Sequence, residues 1–93
     1  MNIQQSNHSF YVEKDGQPIA KIVYSTSFPG RLIIEHTEVD DEYEGQGIGK
    51  ELVHRTVDYA KEQNLELVVR CSFAKKVLEE NQSAYAKASA DGE

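Results

Sequence analysis

Three glycines alternate in Gly45-Gln46-Gly47-Ile48-Gly49, and Lys50 follows them. Half of the chain's six glycines therefore fall within five residues. A glycine turn that opens a helix can hold an anion. The first-turn N–H groups have no intrahelical acceptor, and the helix dipole adds positive potential there. Glycine also lets the backbone come close to a phosphate. The same residues could serve only a tight turn and close packing of helix on sheet. Two further groups could do chemistry. Glu35, His36 and Glu38 precede the turn, and Cys71 is the single thiol. Imidazole as a class titrates near neutrality and suits general-base work. A thiol beside a helix N-terminus and cations such as Arg70, Lys75 and Lys76 favours thiolate, a nucleophile for acyl transfer. Against these stand plainer roles: His36 as a packed strand residue, Cys71 as a small core residue or a channel lining.

Familiar phosphate motifs do not fit. The P-loop needs Ser or Thr after its lysine, and here Glu51 follows Lys50. The dinucleotide fingerprint G-x-G-x-x-G is broken because the third glycine arrives one residue early.

The elements that must position these residues are legible. Ser9–Lys14 (SFYVEK) reads as a strand, and Asp15-Gly16 is a hairpin turn. Ile19–Ser25 is a second strand, with Pro29-Gly30 the next turn. Arg31–Val39 is a third strand. Alternation along it sets Leu32, Ile34 and His36 on one face, and Ile33, Glu35, Thr37 and Val39 on the other. Ile48, Leu52, Val53, Thr56, Val57 and Ala60 then share one face of a helix that ends near Asn64. Leu65–Cys71 reads as a strand covered on both faces, and a second helix runs from Phe73 to about Ala86. The order β-β-β-α-β-α predicts an α/β (α+β) fold with a mixed sheet, because the strand–helix–strand unit must be parallel with a right-handed crossover. Ligands bind at the carboxyl ends of such strands, where the glycine turn and Cys71 both lie.

Composition bounds the rest. Residues 1–93 read as one domain, with its core in about 9–86 and a polar tail in 87–93. A chain of this length buries only about 60–65% of its unfolded surface. One cysteine forms no internal disulfide, and the scattered histidines show no metal-ligand spacing. No apolar run approaches the roughly 20 residues of a membrane span, and the first residues lack the pattern of a signal peptide. The expectation is a cytoplasmic protein without membrane contact. A net charge of −6 argues against nucleic-acid binding, which needs a basic face, and is compatible with a cationic substrate.

The segment Val39–Leu52 resembles the acetyl-coenzyme-A loop of the GCN5-related N-acetyltransferases, whose pattern is [RQ]-x-x-G-x-[GA]. Gly47 and Gly49 occupy the glycine positions, while Glu44 replaces Arg or Gln. Downstream, Cys71-Ser72-Phe73-Ala74-Lys75-Lys76-Val77-Leu78 is similar to the family's N-x-x-A-x-x-L-Y. Ala74 is in register, Cys71 replaces the Asn, and Leu78 replaces the Tyr that often serves as general acid. The match runs from about Phe10 to Tyr85. It lacks the amino-terminal helices that usually build the acceptor site. His36-Thr37-Glu38-Val39 and Cys71 resemble a minimal branch of the family that carries HT-x-V before the loop and Cys before the last helix.

The resemblance implies acetyl-CoA, or coenzyme A, as cofactor, and an amine acceptor: a small amine, a peptide N-terminus or a protein lysine. It assigns cofactor contacts to Thr37, Val39, Gly45, Gln46, Gly47, Ile48, Gly49, Lys50, Ser72 and Lys76, with the Val39 N–H polarising the thioester carbonyl. Acetyl transfer needs a deprotonated amine, a polarised carbonyl and a protonated leaving thiolate. Cys71, His36 and Glu38 are the catalytic candidates, and Tyr85, two turns beyond Leu78, could replace the missing acid or serve only in packing. The alternative to an enzyme is a non-catalytic coenzyme-A-binding module or sensor. A monomer or weak dimer is expected.

Overall fold

The computed structural model describes residues 2–80. The elements are β1 (Ile3–Gln5), β2 (Ser9–Lys14), β3 (Gln17–Ser25), β4 (Arg31–Val39), a single 3-10 turn (Asp41–Tyr43), α1 (Ile48–Glu62), β5 (Glu66–Val69) and α2 (Ser72–Glu80). They form one five-stranded sheet in the order β1-β2-β3-β4-β5. The first four strands are antiparallel neighbours, and β4 pairs with β5 in parallel. The expected mixed sheet is therefore present. The expected tail and the far half of the last helix, Tyr85 included, lie outside the described residues.

Local chemistry explains the boundaries. Asp15 and Gly16 both take positive φ (54° and 78°), as a two-residue hairpin turn requires. Gly30 at φ 77° closes the Phe28–Arg31 turn, where Arg31 N–H donates to Phe28 C=O at 3.1 Å. Asn64 at φ 57° ends α1, with Leu65 N–H reaching back to Ala60 C=O at 2.8 Å.

One apolar cluster lies between the sheet and its helices. It takes Phe10 and Val12 from β2, Ile22 and Tyr24 from β3, Leu32 and Ile34 from β4, Leu67 and Val69 from β5. Leu52, Val53 and Val57 of α1 and Ala74 of α2 pack on them fully buried, joined by the buried Val77 and Leu78 of α2. Burying a Leu or Val of this kind contributes about 1.5–3 kcal/mol. Thr56 is the one buried polar side chain among the described residues, and its hydroxyl donates to Leu52 C=O at 2.8 Å.

Two features depart from expectation. Strand β1 precedes the first expected strand. It is held partly from outside itself: the Tyr24 hydroxyl donates to Ser6 C=O at 3.3 Å and accepts from Gln5 Nε2 at 2.9 Å. The second departure is a β-bulge. Tyr24 pairs with Ile34 but Val23 pairs with His36, which leaves Glu35 as an extra residue in β4. The bulge shifts the alternation. Thr37 and Val39 pair with the inward Ile22 and Ala20, whereas His36 and Glu38 pair with Val23 and Lys21 on the other face. The expected grouping of His36 with Leu32 and Ile34, and of Thr37 and Val39 with Ile33, is thereby corrected.

Candidate active site

The bulge has a functional consequence. Pairing of β4 with β5 ends at Ile34–Val69, and Arg70 N–H adds a last bond to Ile34 C=O at 2.9 Å. Beyond it β4 runs on through Val39, while the segment that follows β5 turns into α2. Among the described residues, the last five residues of β4 have no strand on that side. A cleft of about 530 Å³ opens there, within the range of small-molecule sites. Thr37 and Val39 of β4 line it, with Tyr43, Glu44, Gly45 and Gly47 of the turn, Ile48, Gly49 and Lys50 of α1, and Phe73, Val77 and Glu80 of α2.

The glycine turn is built by the backbone. Gly45 and Gly47 both have φ 83°, a conformation that side chains with a Cβ rarely adopt. Gly47 is the N-cap of α1 and no side chain caps the helix. The first intrahelical bond runs from Glu51 N–H to Gly47 C=O at 3.0 Å, so the amides of Ile48, Gly49 and Lys50 precede it. They stand at the positive end of a 15-residue helix. This arrangement fits a phosphate group. Glu44 and Glu80 oppose it, and Lys50 is the cation among the lining residues described.

Cys71 is buried, at 8% exposure, and is the N-cap of α2, its C=O accepting from Lys75 N–H at 3.0 Å. Its Sγ lies 3.5 Å from Thr37 Oγ1. The thiol is thus one hydroxyl away from the cleft. His36 Nε2 lies 3.0 Å from Glu38 Oε2, both side chains more than half exposed on the face of β4 opposite Thr37. With the proton on Nε2 the ring donates to Glu38, and Nδ1 is left to accept a proton.

The structure therefore brings Thr37, Val39, Gly45, Gly47, Ile48, Gly49 and Lys50 to one cleft, with Cys71 behind it. Gln46, Ser72 and Lys76 are not among its lining residues, and His36 and Glu38 form a separate pair. Leu78, at the position of the family's Tyr, is packed in the core. Tyr43, Phe73, Val77 and Glu80 line the cleft without having been singled out in the sequence. Phe73 had a signal, an aromatic two residues after Cys71 at a helix start. No group of three or more His, Cys, Asp or Glu among the described residues could hold a metal ion, and no described helix is long and apolar enough to cross a membrane.

A mixed sheet splays beside a glycine-capped helix, and comparison with known proteins identifies this arrangement as the N-acetyltransferase fold. Residues 9–88 match the family "GCN5-related N-acetyl-transferase". The chain belongs to this family. A GCN5-like protein of Staphylococcus aureus, solved by NMR, is 36% identical, with a TM-score of 0.79 over 99% of this chain and 90% of that one. Protein NATD1 of Bos taurus is 40% identical over 56 residues, 58% of this chain and 50% of NATD1. This chain spans about half the length of the curated relatives it matches. A "predicted acetyltransferase with acetyl-CoA" from Clostridium acetobutylicum shares the fold, at 20% identity and a TM-score of 0.58 over 91% of this chain and 60% of that one.

Proposed function

We propose that the chain transfers an acetyl group from acetyl-CoA to a primary amine that approaches from the His36–Glu38 face of β4. The observation that carries this reading is the cleft at the end of β4, with the uncapped amides of Ile48, Gly49 and Lys50 on its wall. Those amides would hold the phosphates of coenzyme A, and the bound cofactor supplies an activated acetyl thioester. Thr37 and Val39 direct the cleft toward the splay between β4 and β5. Glu38 orients His36, whose free nitrogen takes a proton from the amine. The Val39 N–H is the candidate donor to the carbonyl oxygen.

The Thr37–Cys71 contact supports a covalent route. The Cys71 sulfur would form a thioester with the acetyl carbon as the bond to the coenzyme A sulfur breaks, and the Cys71 proton would pass to the leaving thiol. The amine then takes the acetyl group, and its proton restores the Cys71 thiol. A small amine, a peptide N-terminus and a protein lysine are the acceptor classes. A reducing, cytoplasmic setting suits the free thiol.

Intact-protein mass spectrometry after incubation with acetyl-CoA tests this, with Cys71→Ala beside the wild type. A gain of one acetyl group that Cys71→Ala abolishes supports the covalent route. Absence of an adduct, with transfer to an added amine intact, leaves direct attack. A second reading, a coenzyme-A-binding module without turnover, is favoured by Glu44 and Glu80 in the cleft and by the burial of Leu78. It predicts equal affinity for coenzyme A and acetyl-CoA and no transfer to any amine.

A further inference from the structure

Val39, Gly49 and Phe73 come from three elements, β4, α1 and α2, and all line the cleft. They meet at one point. A Cβ placed on Gly49 would stand 2.9 Å from Phe73 Cζ, 3.0 Å from Phe73 Cε2 and 3.4 Å from Val39 Cγ2. Non-bonded carbons favour about 3.5–4.0 Å, so the first two distances are repulsive. Gly45 and Gly47 differ in kind: their φ is positive, and a Cβ there would meet nothing within 4 Å. Gly49 is the second residue of α1, and its φ is not positive. Alanine is the better helix former by about 1 kcal/mol, so glycine here answers to the ring, not to the backbone.

Phe73 is 43% exposed, one of two large hydrophobic side chains so exposed among the described residues. The other, Phe28, lies in the β3–β4 turn and is not part of the cleft lining. One side of the Phe73 ring packs on Gly49, and part of the ring remains uncovered on the wall of the cleft. A ligand that covers this area gains from removing it from water.

We infer that residue 49 is glycine in order to seat the Phe73 ring and not to let a phosphate approach, and that this ring is the apolar wall for the flexible thioester arm of coenzyme A. The second half rests on the reading of the cleft as a coenzyme A site. The missing side chain of Gly49 acts through Phe73, while its N–H stays with those of Ile48 and Lys50 at the start of α1.

Calorimetry with acetyl-CoA and thermal melts of Gly49→Ala, Phe73→Ala and the double variant test it. Phe73→Ala weakens acetyl-CoA binding about tenfold, in the range of a lost aromatic contact. Gly49→Ala lowers both the melting temperature and the affinity. The double variant matches Phe73→Ala in affinity and melts no lower than it, because alanine at position 49 no longer meets the ring and favours the helix. That recovery also covers the case in which Gly49→Ala alone does not fold. Multiplying losses of affinity in the double variant would make Gly49 a direct ligand contact and overturn the inference, with the cofactor reading intact. Wild-type affinity in Phe73→Ala would overturn the wall. A wild-type protein that does not bind acetyl-CoA overturns the cofactor reading and the wall with it, while the melting pattern still decides the seat.

Discussion

Glu44 stands on the cleft lining where the family's loop carries Arg or Gln, and it is exposed. A carboxylate there repels the phosphates that the α1 amides would hold. Solvent screens the repulsion, so its effect is modest and salt-dependent. Glu44→Gln should tighten coenzyme A binding roughly two- to fivefold at low ionic strength. Calorimetry at low and high salt checks this, because the gain should shrink as salt rises. An unchanged affinity would place the phosphates away from Glu44. The His36–Glu38 pair makes a separate prediction. Glu38 does not line the cleft, so Glu38→Gln should leave acetyl-CoA affinity unaltered while lowering kcat about tenfold or more. A shifted pH profile of kcat would mark the loss of an oriented imidazole, which a merely structural role would not produce. Neither residue could be assigned to a side of β4 from sequence alone. Counting by twos put His36 beside Leu32 and Ile34, and only the unpaired Glu35 reverses that.

Between elements, the legible parts follow from strong local signals. Ser9–Lys14 and Arg31–Val39 have the observed bounds because turn residues with enforced φ delimit them: Asp15-Gly16 on one side, Pro29-Gly30 on the other. Strand β1 was not legible. Ile3-Gln4-Gln5 has one apolar residue, and its place comes from pairing with β2 and from the Tyr24 hydroxyl, both distant in sequence. Strand β3 begins at Gln17 and not at Ile19, because Pro18 is accommodated next to a second irregularity at Ile19. The cleft was legible on its glycine side and not on its α2 side, since Phe73 and Val77 reach it only through helix packing. Two glycines separate the backbone's needs from the ligand's. Gly16 and Gly47 both have positive φ and open space around a would-be Cβ. Alanine at either should cost about 1–2 kcal/mol, or about 4–8 °C of melting temperature per kcal/mol in a domain of this size. Only Gly47→Ala should also weaken acetyl-CoA binding, because only Gly47 caps α1 at the cleft. Equal affinities in the two variants would show that the turn serves the fold alone.

For the molecule entire, the net charge of −6 would act with opposite sign on the two proposed partners. Acetyl-CoA is an anion and a protonated amine is a cation. The protein's field opposes the first and draws in the second. Added salt screens both effects over a Debye length of about 10 Å at 0.1 M. The two Michaelis constants should therefore move in opposite directions as ionic strength rises, that for acetyl-CoA falling and that for a cationic acceptor rising. The cofactor side is the sharper case, because the Glu44 and Glu80 carboxylates line the cleft with Lys50 as the described cation. On the acceptor side, Glu38 lies on the open face of the sheet with Lys21 as its cross-strand neighbour, so the pull there comes from the whole charge and not from one pair. Initial rates at several salt concentrations, each substrate varied in turn, measure both trends. If both constants rise together, local contacts outweigh the overall field, and substitution of Glu44 should then account for little of the salt dependence. If they diverge, net charge selects the amine by its protonation. The proton must then be removed after the amine is bound, which is the task assigned to His36.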